Sequence, residues 1–290
     1  MKEEAILLGQ NKSLVGVYTP AVPKDTHTGS KVAIIFLNAG LIHHVGPHCL
    51  HVRLARLLAS RGVSALRFDL SGIGDSPVRQ DKLPARQVVI NEPREVMDDL
   101  VRRGYDSFIL FGICSGAKNA VQAASGDPRV RGLVLVNPGV DNPDVILQAT
   151  SQLYMRRSLW NARAWLNLFT GRVNYKALVY TLIGSVRQKL SGNRPSNEKL
   201  PDLIRQGLEP VMSQGTRLLV LLSDRHAQLF KLFGNELQDL LHSRDLQLEV
   251  FPEADHLFTL LEKQEFLVEH VCLWVEKLQH AIPDTDITTS

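Results

Sequence analysis

Residues 108–117 read F-I-L-F-G-I-C-S-G-A, and few folds can accommodate that run. Four apolar, β-favouring residues stop at Gly112, and helix-compatible residues follow from 115 to 124. Gly112-x-Cys114-x-Gly116 between strand and helix has the form of a nucleophile elbow, with Cys in the place more often held by Ser. A turn this sharp leaves no room for side chains two residues before and after its apex, which Gly112 and Gly116 satisfy. Taking Ser115 as the apex instead would put Ile113 at a crowded position. A bland reading also exists, in which Cys114 is a small buried residue beside a glycine-flanked turn.

On either side of this stretch the pattern alternates. Residues 4–9 and 13–19 read as short strands joined at Gln10-Asn11-Lys12. The continuous apolar run 31–37 suits a strand buried on both faces of a parallel sheet. A helix is expected over 48–61, a strand over 63–68, a helix over 91–103 and a strand over 130–136. After the interruption at 141–213, a strand is expected over 217–222, a helix over 227–242, a strand over 246–251 and a closing helix over 256–279. This rhythm predicts an α/β fold with a mostly parallel, doubly wound sheet. The expected domain division is a core of 1–140 and 214–290, with 141–213 inserted as a helical cap.

Composition narrows the function classes. A net charge of +3 on 290 residues, with no arginine-rich tract, does not suggest a nucleic-acid binder. No apolar stretch reaches transmembrane length, and the start M-K-E-E-A-I-L-L lacks a signal-peptide core. Cys49, Cys114 and Cys272 are scattered and odd in number, which favours a reducing, cytoplasmic setting over disulfides or a zinc site. His43, His44, His48 and His51 cluster after the 31–37 strand, but form no HxxxH-type pair with a carboxylate. They are expected to be solvated loop residues, and no metal is expected.

With G-I-C-S-G at 112–116, F-D-L-S-G-I-G-D-S at 68–76 and P-E-A-D-H-L-F at 252–258, the chain resembles the α/β-hydrolase superfamily. Within it, the sequence is most similar to serine-aminopeptidase-like bacterial hydrolases, including exosortase-associated ones, and to the Cys-bearing dienelactone hydrolases. The resemblance implies a nucleophile at Cys114 and a general base at His256. It implies an oxyanion hole from the N–H groups of Ser115 and Leu41, with Gly40 as the alternative. The turn at 69–72 is implied to be structural.

The acid departs from the family form. A Gly-Glu-x-Asp-like turn is usual, whereas residues 223–226 read S-D-R-H, so His226 stands where the acid is usually found. Asp224 is the preferred acid; Asp141, or a Cys–His pair without an acid, are the alternatives. A thioester intermediate suits esters, lactones or thioesters better than amides, and permits acyl transfer as well as hydrolysis. Residues 141–200 carry nine Lys and Arg against Asp141, Asp144 and Glu198, so this segment is locally basic. Arg156 and Arg157 are candidate contacts for coenzyme A phosphates or an acyl-carrier protein, and Trp160 and Trp165 for an acyl chain. No cofactor is expected. A catalytically inactive binding module on the same fold is the alternative of a different class.

Overall fold

A computed structural model describes residues 2–23, 31–138, 200–224, 226–227, 240 and 242–282. The chain divides into two compact units, one of residues 1–139 with 205–290 and one of residues 140–204. The expected site residues Asp141, Arg156, Arg157, Trp160 and Trp165, and most of the expected 227–242 helix, lie outside the described residues.

The first unit is built on eight strands: β1 (Glu4–Leu8), β2 (Leu14–Thr19), β3 (Val32–Phe36), β4 (Ser64–Phe68), β5 (Ser107–Ile113), β6 (Val130–Val136), β7 (Arg217–Ser223) and β8 (Leu246–Phe251). They form one sheet in the order β1-β2-β4-β3-β5-β6-β7-β8. The β1–β2 and β2–β4 pairs are antiparallel, and every pair from β4 to β8 is parallel. All residues of β3, β4 and β5 are buried, which is why they are mostly apolar, with Ser64, Arg67 and Ser107 as the polar exceptions. Strand β8 lies at the edge, and its intermediate and exposed residues reflect that place.

The described helices are α1 (Leu50–Ser60), α2 (Ala85–Arg102), α3 (Ser115–Ala124), α4 (Leu200–Met212) and α5 (Leu261–Ala281). Helix α1 packs with α5, and α2 with α3. Leu50, Leu54 and Leu58 of α1 share a core with Leu267, Val271 and Val275 of α5 and the inner residues of β3 and β5. Burying a side chain of this size contributes about 1.5–3 kcal/mol, so this layer holds the closing helix to the sheet.

Three helices start elsewhere than the sequence predicts. Helix α5 starts at Leu261, not at 256, because Phe258 takes a left-handed φ of 53° that a helix cannot contain. Helix α1 starts at Leu50 after a short 3₁₀ turn, because His48 and Cys49 have φ of 50° and 61°. Helix α2 begins at Ala85, six residues before the expected start, and carries Pro93 inside it.

Candidate active site

In a sheet of this kind, the carboxyl ends of the parallel strands form the natural binding crevice. The turn leaving β5 is the most constrained point there. Cys114 has φ 56° and ψ −119°, a region that side-chain-bearing residues rarely occupy, and α3 begins at the next residue. Its N–H donates to the Val136 carbonyl at 2.9 Å, which fixes the apex against β6. A Cβ on Gly112 would lie 2.2 Å from the carbonyl carbon of Gly116, and one on Gly116 would lie 2.6 Å from the Asn38 carbonyl oxygen. Both positions therefore require glycine, as the spacing predicts. Cys114 is partly buried, Cys49 exposed and Cys272 buried.

The loop after β3 closes over the elbow. The Gly40 N–H donates to Ser115 Oγ at 2.7 Å, tying this loop to the first residue of α3. Gly40 itself has φ 61°, and the neighbouring Leu41 side chain is exposed. Asn38 anchors the base of the loop: Nδ2 donates to the Ile42 carbonyl and to Asp69 Oδ1, and Oδ1 accepts the Leu70 N–H.

His256 sits in a loop that other residues hold in place. Asp255 Oδ1 accepts the N–H groups of Leu257 and Thr259, and Phe258 is driven into the core against Phe251, ring centroids 5.5 Å apart. Burial would raise the Asp255 pKa, but the Thr259 hydroxyl and these N–H groups together hold it below the usual carboxylate range. Asp255 thus shapes the loop. The His256 carbonyl accepts Asn137 Nδ2 at 2.9 Å, while Asn137 Oδ1 accepts the Ser223 N–H at 2.7 Å. Asn137 also donates its own N–H to Leu221. Fully buried, with φ 45°, it joins the ends of β6 and β7 to the His256 loop. The sequence analysis gives residue 137 no role; an Asn at the end of a buried strand, before Pro-Gly, is the available signal.

Beyond β7, exposed Asp224 accepts the Glu253 N–H at 3.0 Å, so it braces the turn leading to His256. His226 stacks on His256, with centroids 4.8 Å apart and planes 21° from parallel, and its Nδ1 lies 3.2 Å from Ser223 Oγ.

The expectation of solvated histidines after β3 needs correction. His44 and His51 are buried; only His48 is exposed, and His43 is intermediate. His44 bonds through both its N–H and its ring Nδ1 to fully buried Asp69, each at 2.7 Å. His51 packs between Phe36 and Phe111. The sequence could not show this, because the partners of these histidines lie on β3, on β5 and in the turn that follows β4. Asp69 ties the loop after β3 to the turn that follows β4. Burial favours its neutral form, but the His44 ring and the Asn38 amide hold its pKa below the ordinary value.

No helix among the described residues is long and apolar enough to cross a membrane. A search of the curated proteins finds no match to this sequence. Solved structures share the fold. A dienelactone hydrolase from Anabaena variabilis superposes with a TM-score of 0.58 at 14% identity, covering 95% of this chain and 97% of that one. A proline iminopeptidase from Mycobacterium smegmatis gives 0.58 at 16% identity, with 97% and 99% covered. A thermophilic esterase from Thermogutta terrifontis gives 0.52 at 14% identity, with 96% and 100% covered. The family model described as "Alpha/beta hydrolase family" matches residues 34–270, a span that includes the elbow, the loop after β3 and the His256 loop. With that match over most of its length, and with the strand order and elbow described above, the chain belongs to the alpha/beta hydrolase family.

Proposed function

We propose that the protein is a hydrolase or acyltransferase for esters or thioesters, working through an acyl group on Cys114. The observation that carries this reading is the strained conformation of Cys114 between β5 and α3, with glycines where bulk would clash. In the proposed cycle His256 takes the thiol proton, and the sulfur attacks the substrate carbonyl. The oxyanion accepts hydrogen bonds from the Ser115 and Leu41 N–H groups. Engagement of the Gly40 N–H by Ser115 Oγ supports Leu41 over Gly40 as the second donor. The alcohol or thiol leaves with the proton held by His256. Water, or an acceptor in acyl transfer, then loses a proton to His256 and attacks the thioester, and the proton returns to sulfur as the acyl product departs.

Asp224 is the proposed acid, supported by its place on the turn beside the His256 loop. The stacking of His226 on His256 favours a second reading, a Cys–His pair with no essential carboxylate. The basic segment 141–200 suggests a coenzyme A- or carrier-bound acyl substrate, with Arg156 and Arg157 as candidate contacts for its anionic part and Trp160 and Trp165 for its acyl part.

Replacing Cys114 with Ala should abolish turnover of an activated p-nitrophenyl acyl ester while leaving circular dichroism and the unfolding midpoint unchanged. Retained turnover in Cys114→Ala would contradict the proposal and favour another nucleophile. A wild-type protein inert toward a panel of acyl esters and thioesters would favour the binding-module reading.

A further inference from the structure

Beside the candidate active site, two loops bring together four side chains of metal-ligand type. His43 and His44 follow β3; Asp69 and Asp75 lie in the turn that follows β4. One donor atom from each lies within 4.8 Å of all the others. We propose that this cluster is a binding site for a divalent transition metal of the zinc class, bracing the loop that follows β3.

The donor set suits such an ion, since imidazole nitrogens and carboxylate oxygens in a four-membered set are a common zinc environment. Zinc bonds of about 2.0–2.1 Å place tetrahedral ligands roughly 3.3 Å apart. His44 Nδ1 and Asp69 Oδ2 are already 2.7 Å apart, His43 Nε2 and Asp75 Oδ2 2.9 Å, and His43 Nε2 and Asp69 Oδ2 3.5 Å. Both close pairs must open by roughly half an ångström to reach that spacing, and His43 and Asp75, whose side chains are 34% and 62% exposed, have the most room to move. That exposure also gives an ion its route in.

The surroundings resemble those of a ligating carboxylate. Asp69 Oδ1 is held by Asn38 Nδ2 at 2.8 Å and by the His44 N–H at 2.7 Å, which leaves Oδ2 directed at the cluster. Oδ2 also accepts the Asp75 N–H at 3.1 Å, which keeps the Asp75 backbone against the site. Gly74 makes the close approach possible, because a Cβ there would lie 2.2 Å from Asp69 Oδ2 and 2.7 Å from His43 Cδ2. Metal binding replaces the hydrogen bonds within the His44–Asp69 and His43–Asp75 pairs, and each neutral ring keeps its one proton on the nitrogen that does not ligate. It also breaks the weak 3.4 Å contact from the Val45 N–H to His43 Nδ1, because an imidazole ligating through Nε2 carries its proton on Nδ1.

Full-length protein stripped with a chelator is titrated with Zn²⁺ by calorimetry and with Co²⁺ by absorption spectroscopy. The expected result is one saturable equivalent, visible cobalt bands without a thiolate charge-transfer band, and a higher unfolding midpoint with Zn²⁺. His43→Ala and Asp75→Asn should each weaken Zn²⁺ binding by about tenfold or more. Their metal-free unfolding midpoints show whether they fold. His48→Ala, which removes a histidine of the same loop that lies 3.4 Å from Thr259 Oγ1, should bind like the wild type. Absence of stoichiometric binding, unchanged affinity in both cluster variants, or a thiolate band assigning the ion to Cys49 or Cys114 would overturn the proposal.

Discussion

His51 lies on α1 with its ring 5.3 Å from that of Phe36 and 5.5 Å from that of Phe111. Burial pushes its pKa down to about 3, outweighing the opposing influence of the nearby His44 backbone. In the unfolded chain the ring takes up a proton near pH 6.5, so between that pH and about 3 the unfolded state binds more protons. His51 therefore withdraws stability as pH falls below 6.5, by roughly a few kcal/mol at the acid end. We expect His51→Phe to flatten the decline of unfolding free energy between pH 6.5 and 4, measured by denaturant unfolding. An acid limb as steep as that of the wild type would mean that other groups set it. Buried Cys272, with its pKa pushed up to about 12 by burial, gives a thiol that reagents should reach only after unfolding.

The turn after β8 shows an element whose role comes from its anchors. Asn137, Asp255 and Phe258 fix the backbone around His256, and Asp224 braces the same turn from β7. Asn137→Ala removes the acceptor of the buried Ser223 N–H and the donor to His256, which should destabilise the fold by about 1–3 kcal/mol. Acting through His256, it should also lower kcat for an activated ester far more than it changes KM. A stability loss with kcat unchanged would confine Asn137 to a structural role. Asp224→Asn keeps an acceptor for the Glu253 N–H, so it isolates the carboxylate charge. If Asp224 is the acid, this variant should lose about a hundredfold or more in kcat/KM, while Asp141→Asn loses little. Equal tolerance of both changes would point to the Cys–His pair. Much at this scale was legible in the sequence: apolar runs gave the central strands, and glycine spacing gave the turn at Cys114. Helix starts were misplaced where left-handed residues such as His48, Cys49 and Phe258 interrupt a helical pattern. Local periodicity carries no sign of them.

Across the molecule, sheet order decides which distant residues meet. Placing β3 between β4 and β5 sets the 38–46 loop against both Ser115 and Asp69, although neither is near it in sequence. That is why an elbow contained in ten residues could be read directly, while the His43–His44–Asp69–Asp75 cluster could not. The same topology brings the ends of β5, β6 and β7 to the loop carrying His256 through Asn137. The proposed chemistry needs a covalent acyl group at one thiol of three. Its most direct test is to quench the wild-type protein during turnover of a slow acyl ester or thioester and locate the added mass by peptide mass spectrometry. The account predicts one acyl group on Cys114, released by hydroxylamine and absent in Cys114→Ser when the label is sought as a thioester. Turnover with no adduct at Cys114, or with the acyl group on another residue, would contradict it.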